Sequence, residues 1–262
     1  MQLEDRTAIV TGASSGIGRA IAIEFAQEGG AVVVADIRET PKDRDESKRT
    51  SERIRDLGGE ALYHETDVTD MDAVEDLIEA TIDTFGGVDI LVNNAGISCD
   101  GMAHETPESD WDDIVEVNLS GAYRCAKAAL PHILESDQGR IINIASQMGF
   151  VGYPESAAYC ATKGGMVNLT RQMAVDYSEQ GVTVNGICPG PIKTSMSREE
   201  SADEPKAWYV EESKFEHYRE KVLTPTIGEP EDVAKAAVFV ASEGARFMTG
   251  HNLVLDGGYM AK

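Results

Sequence analysis

The sequence predicts an α/β fold: one doubly wound domain over residues 1–262, with a seven-stranded parallel sheet flanked by helices on both faces. Two patterns carry the prediction. Short β-branched runs recur along the chain (RTAIVTG, AVVVAD, EALYHETDV, VDILVNN, RIINIAS, VTVNGIC and HNLVLDGG), and stretches of helical period such as IGRAIAIEFAQEG and DAVEDLIEATIDTFG stand between them. The runs are continuously apolar rather than alternating, as strands covered on both faces must be. Strands that alternate with helices build a parallel sheet. Length alone fits one large unit or two small ones, but no linker interrupts the rhythm.

Taken in chain order, the first run leads directly into TGASSGIG, which opens a helix. Gly12, Gly16 and Gly18 follow a GxxxGxG spacing rather than GxGxxG. Glycines there let the backbone turn tightly and approach a pyrophosphate, and the helix N-terminus offers it unpaired N–H groups. A tight strand-to-helix turn without ligand reads the same way. The second run ends in Asp36, 18 residues beyond Gly18, where a carboxylate can accept from both hydroxyls of an adenosine ribose. A carboxylate repels a 2′-phosphate and Ser15 offers no positive charge to hold one, so NAD is expected over NADP. Arg38 dissents, as either a phosphate partner or a solvated loop residue.

The charged segment RETPKDRDESKRTSERI, Arg38 to Ile54, is expected to be a solvated loop leading into a helix. A second irregular stretch, Ser195 to about Thr226, is an acidic excursion carrying Trp208, Tyr209, Phe215 and Tyr218, whose rings need a place to dock. It reads as a substrate loop. The helix PEDVAKAAVFVAS and the last apolar run follow it.

Tyr159 and Lys163 in YCATK share one helix face, because residues at i and i+4 are neighbours. By themselves they are equally a solvated tyrosine beside a solubilising lysine. Together with TGASSGIG, the NNAG of Asn93 to Gly96, Asn118 in VNLSG, Ser146 in INIAS, the PGPIKT of Pro189 to Thr194 and the closing DGG, they resemble the short-chain dehydrogenase/reductase family from about residue 5 to 259.

That resemblance implies a Rossmann fold and an enzyme with four catalytic residues. Tyr159 is the general acid/base. Its phenol is too weak a base at neutral pH unless a cation favours the phenolate, a role expected of Lys163 and the nicotinamide ring. Ser146 holds the substrate oxygen, with a strand-end cap as its plainer role. Asn118 lends a backbone carbonyl to a water that links Lys163 to solvent. Cofactor contacts carried over in the same way are Gly12, Ser14, Ser15, Gly16, Ile17, Gly18, Asp36, Asp67 with Val68, Asn93, Ala95, Gly96, Tyr159, Lys163, Pro189, Gly190, Ile192 and Thr194. Asp67 is expected on the adenine amino group, Asn93 along the adenosine and Thr194 at the carboxamide. Asp67, Asn93 and Thr194 are equally turn or cap residues by type. Family members are commonly tetramers, so a homotetramer is expected.

For the substrate, the residues after Ser146, together with Ser98, Tyr153 and the excursion with Trp208, bound the pocket. Gln147 is the preferred contact: its amide donates and accepts, which suits vicinal hydroxyls of a sugar or polyol. The expected reaction is NAD-dependent oxidation of a secondary alcohol. A 3-oxoacyl-thioester reductase and a non-catalytic dinucleotide sensor are the alternatives, and a pure binder has no need of the intact tetrad.

Composition narrows the partners. Against 23 basic residues stand 46 acidic ones, a formal charge of −23 that repels nucleic acid and anionic membranes. The acids are spread along the chain, which suits a charged folded surface adapted to concentrated salt. No run long enough to cross a membrane occurs, and MQLEDRT lacks a signal's basic start, so a cytoplasmic enzyme is expected. Cys99, Cys125, Cys160 and Cys188 form no CxxC pair, so buried thiols are expected and no metal site. If self-repulsion is the dominant surface term, the thermal unfolding midpoint should rise on going from dilute buffer to molar salt. An unchanged midpoint would refute a salt-adapted surface.

Overall fold

The computed structural model describes residues 1–42, 46–194 and 219–262. All seven apolar runs form strands: β1 Thr7–Thr11, β2 Ala31–Asp36, β3 Ala61–Glu65, β4 Ile90–Asn93, β5 Arg140–Ile144, β6 Thr183–Pro189 and β7 Asn252–Leu255. They pair in parallel in the order β3-β2-β1-β4-β5-β6-β7. β3 is shorter than its apolar run because the chain turns at Thr66 and Asp67. The helices are α1 Gly16–Gln27, α2 Thr50–Asp56, α3 Met71–Phe85, α4 Glu108–Val115, α5 Gly121–Ile133, α6 Ala157–Tyr177 and α7 Pro230–Ala241.

Alternate strand residues face two separate cores. Ala8, Val10, Val32, Val34, Ile142 and Ile144 pack with α1 and α7, while Ile9, Val33, Leu91 and Ile141 pack with α3, α5 and α6. This two-sided burial is why the runs carry no polar alternation. Helix ends obey local chemistry: Asp70 caps α3 by accepting from the Asp72 N–H at 3.0 Å, and Pro230 starts α7 with its fixed φ. Between α4 and α5 the backbone widens into a π turn, Glu116–Ser120.

The segment from 38 to 54 is a loop leading into a helix, as expected: residues 46–49 are exposed, residues 43–45 lie outside the described residues, and α2 begins at Thr50, with Thr50, Ser51 and Ile54 buried. Thr50 Oγ1 donates to the Ala13 carbonyl at 2.9 Å, and Arg19 reaches Thr50 Oγ1 and Glu46 Oε2, both at 2.9 Å. The physical reason is that the carbonyls of the glycine-rich loop need donors, which α2 supplies. Residues 195–218, with Trp208, Tyr209, Phe215 and Tyr218, lie outside the described residues.

A buried polar ladder sets the register of α6 on the sheet. Asn93 Nδ2 donates to Asn143 Oδ1 and Asn143 Nδ2 donates to Thr170 Oγ1, each at 2.9 Å, joining β4, β5 and α6. Asn143→Ala should leave two buried groups unpaired and destabilise the fold by about 2 kcal/mol, read from the midpoint of urea unfolding. A loss well under 1 kcal/mol would show that water replaces the amide.

Candidate active site

β1 and β4 are neighbours in the sheet but not in sequence, so a crevice opens at their carboxyl ends, where open α/β sheets gather ligands. The two loops there are clasped together. Thr11 Oγ1 accepts from the Asn94 and Ala95 N–H groups, each at 3.0 Å, and Asn94 Nδ2 donates to the carbonyls of Thr11 at 2.8 Å and Gly12 at 3.1 Å. The sequence reading did not single out Thr11 or Asn94, since a strand threonine and a loop asparagine signal nothing until their pairing is seen.

The glycine-rich loop fits a dinucleotide pyrophosphate. Gly12 has φ +64°, and a Cβ on it would stand 2.9 Å from Ala95 Cα. A Cβ on Gly18 would lie 2.3 Å from the Gly12 carbonyl oxygen. Backbone alone therefore fills the cradle at the head of α1, where the helix dipole favours negative charge. Ser15 does not cap α1; its hydroxyl accepts from Lys42 N–H at 2.6 Å. Thr194 lies over Gly16, its methyl 3.6 Å from where a Cβ would be, so the loop after β6 faces the cradle across the crevice.

Asp36 stands at the end of β2 with its carboxylate toward the same loop, accepting from Ser14 N–H at 3.0 Å and Arg38 N–H at 3.3 Å. Burial pushes its pKa up; these two donors, with Lys42 and Arg38 nearby, pull it back. Asp67 is exposed, and its Oδ1 closes a turn onto Thr69 N–H at 2.9 Å and Thr69 Oγ1 at 2.8 Å.

Three expected cofactor side chains turn elsewhere. Asn93 donates into the sheet interior, its Nδ2 held by Asn143 Oδ1 on β5, while its own Oδ1 is buried without a partner. Val68 packs in the core against Gly121, and Ile192 is buried against Gly228. Only the backbone of Val68 and Ile192 is left to meet a ligand.

At the carboxyl end of β5 the four expected catalytic residues converge. Ser146 caps the short turn Gln147–Gly149, its Oγ accepting from Met148 N–H at 3.1 Å, so its plainer role is realised as well. Its hydroxyl faces the Tyr159 phenol and pulls that group's pKa down. Lys163, one turn along α6, is 4% exposed, donates to the Ile144 carbonyl at 2.9 Å and has its Nζ 5.6 Å from the Tyr159 ring centroid. Asn118 sits in the π turn, fully buried, with Oδ1 accepting from Ile97 N–H at 2.8 Å and Nδ2 donating to the Ile97 carbonyl at 2.9 Å. Single π turns are frequent at functional sites, and this one pins the loop after NNAG to the catalytic wall.

The electrostatics differ from the expectation. Burial pushes the Tyr159 phenol up to about 12, with the Ser146 hydrogen bond as the opposing pull. Burial also lowers Lys163 to about 8. Lys163 therefore does not by itself make the phenol acidic, because desolvation penalises the charged form of both groups.

Around this centre, Ser98 is half-exposed beyond Ile97, and Tyr153 stands in the loop before α6. Gln147 is 2% exposed and its Oε1 has no hydrogen-bond partner; a Cβ on Gly190 would lie 2.9 Å from it. Trp208 lies outside the described residues. Among the described residues no cluster of metal ligands occurs and no helix is long and apolar enough to cross a membrane. Cys99, Cys125 and Cys188 are buried and Cys160 is half-buried, and none of the four forms a disulfide among the described residues.

A doubly wound sheet whose switch-point crevice joins a phosphate cradle to a Ser–Tyr–Lys constellation defines a dinucleotide-dependent oxidoreductase. Comparison with known proteins agrees. Residues 12–260 match a family model described as enoyl-(acyl carrier protein) reductase. An uncharacterized oxidoreductase of Thermotoga maritima is 36% identical over 263 residues, covering 100% of both chains. The 3-oxoacyl-[acyl-carrier-protein] reductase FabG of Staphylococcus epidermidis is 35% identical over 254 residues, 97% of this chain and 98% of that protein. The crystal structure of a short-chain type dehydrogenase/reductase from Mycobacterium marinum superposes with a TM-score of 0.88 at 30% identity, covering 100% of this chain and 98% of that one. The chain belongs to the short-chain dehydrogenase/reductase family, oxidoreductases whose Rossmann fold binds a nicotinamide cofactor.

The pKa shifts predict a proton linkage. Between the pH of about 8 where Lys163 titrates and that of about 12 for Tyr159, the phenol holds its proton. A cationic ring bound beside it favours the phenolate, so NAD binding should release protons and tighten as pH rises through this window. Calorimetry in buffers of different ionisation enthalpy should show more proton release from the wild type than from Tyr159→Phe. Equal release would sever the phenol from the cofactor.

Proposed function

We propose that the protein is an NAD-dependent dehydrogenase acting on a secondary alcohol, a sugar, polyol or related hydroxy compound, with Tyr159 as general acid/base. The observation that carries this reading is the assembled constellation: the Ser146 hydroxyl facing the Tyr159 phenol, with Lys163 Nζ 5.6 Å from that ring's centroid. The nicotinamide ring, when bound, supplies the hydride acceptor. Asp36 takes the adenosine ribose, the loop of Gly12, Gly16 and Gly18 takes the pyrophosphate, Asp67 the adenine amino group and Thr194 the carboxamide. Lys163 holds the nicotinamide ribose.

Each protein group then has one task. Ser146 spends its acceptor side on Met148 N–H, which frees its proton for the substrate oxygen. Tyr159 removes the alcohol proton, aided by the positive charges that gather around it on binding. The backbone of Asn118 holds a water that relays protons past Lys163 to solvent. The unmet acceptor of Gln147 supports a substrate rich in hydroxyl donors.

The Asp36 carboxylate supports NAD over NADP, since it would repel a 2′-phosphate; Arg38 and Lys42 act in the opposite sense. The second reading, 3-oxoacyl-thioester reduction, is favoured by likeness to the FabG reductase. Against it, a surface of formal charge −23 repels an acidic carrier protein. The reading places this cytoplasmic enzyme, one catalytic unit per chain, in a homotetramer. A groove on the outer side of α5 and α6, lined by Leu119, Tyr123, Gly165 and Leu169, supports pairing there.

The test is NADH absorbance at high salt across sugars, polyols and secondary alcohols, with NAD and NADP, and with a 3-oxoacyl thioester in the reducing direction. Tyr159→Phe should lower kcat about a thousandfold while NAD affinity stays nearly intact. Retained turnover would discard the catalytic assignment.

A further inference from the structure

Lys221 is distinguished among the described lysines by resting against two tyrosine rings. Arg19, Lys48, Arg49, Arg124, Lys193 and Arg246 each pair with a carboxylate. Lys221, half-buried, has no carboxylate partner among the described residues; its ammonium lies 5.0 Å from the Tyr153 ring centroid and 5.9 Å from that of Tyr259. Two ring faces steady a lysine by its charge without using up its three N–H donors.

This cage stands on the rim of the catalytic end of the sheet. Val222 and Ile227 pack with Tyr153 and Tyr259 beneath it. The N–H groups of Leu223 and Thr224 donate to the Gly257 carbonyl at 2.7 and 3.2 Å. A Cβ on Gly190 would lie 2.6 Å from Asp256 Cα and 2.9 Å from Gln147 Oε1. The loops after β5, β6 and β7 thus touch in series from Gln147, next to Ser146, out to the segment that follows the helical turn carrying Lys221. Asp256 forms no ion pair with the lysine, and its carboxylate oxygens accept from Gly258 and Met260 N–H groups, each at 2.8 Å.

We infer that Lys221, held between Tyr153 and Tyr259, is a specificity residue that takes an acidic group of the substrate, so that the alcohol oxidised is a hydroxy acid. A single ammonium balances a carboxylate; a phosphate carries close to two charges and would be left half compensated inside so acidic a chain. The inference rests on the dehydrogenase reading above and sharpens its substrate class.

The experiment compares acids with their neutral counterparts: D-gluconate with D-sorbitol, and 3-hydroxybutyrate with 2-butanol. Calorimetric titration of the enzyme–NAD complex measures binding, and NADH formation measures turnover. At least one acid should bind more tightly than its neutral partner. Lys221→Met should raise that acid's Kd and KM about ten- to hundredfold with kcat nearly unchanged. It should leave the neutral compounds unaffected, and Lys221→Arg should recover part of the loss. Neutral compounds binding as well as the acids, acid binding that survives Lys221→Met, or acids that fail to bind would each overturn the inference. Acid binding that depends on Lys221 but never yields NADH would instead overturn the dehydrogenase reading and leave the anion site standing.

Discussion

A buried lysine with no carboxylate partner among the described residues is the constraint around which this site is built. Lys163 is 4% exposed, burial lowers its pKa to about 8, and its Nζ donates to the Ile144 carbonyl. That bond ties α6 to the end of β5. The ladder of Asn93, Asn143 and Thr170 repeats the tie deeper in the sheet, so α6 cannot slide without stranding several polar groups at once. Tyr159, one turn from Lys163, therefore meets Ser146 as a consequence of register. Burying two groups that must both become charged raises the phenol and lowers the ammonium. The site is thus poised to change protonation when a cation arrives.

The crevice is held by a different device. Thr11 and Gly12 accept four hydrogen bonds from Asn94 and Ala95 across the ends of β1 and β4, the pair between which the strand order reverses. Those bonds bring the glycine-rich loop against the loop after β4, and Asn118 in the π turn fastens the same loop from the other side. The phosphate cradle and the catalytic wall are consequently braced through one short segment, residues 94–97. The chain as a whole is strongly acidic, and at the catalytic end Lys163 and Lys221 each lie near tyrosine rings, Lys163 by Tyr159 and Lys221 by Tyr153 and Tyr259.

The amino-acid order by itself determined the seven strands, because two-sided burial leaves a continuous apolar run that needs no partner to be recognised. It also determined the glycine-rich turn, the acid at the end of β2 and the helical spacing of Tyr159 and Lys163, all of which are local. Only the tertiary structure decided that Thr50, at the start of α2, is a buried donor to the glycine-rich loop, and that Asn93 faces Asn143. It alone decided that Thr11 and Asn94 form the clasp, that Gln147 is left with an unmet acceptor, and that Lys221 rests between two tyrosines. The physical reason is common to these cases: a polar side chain's partner is chosen by which strand ends and loops meet in space, and those contacts join residues dozens of positions apart that no local pattern connects.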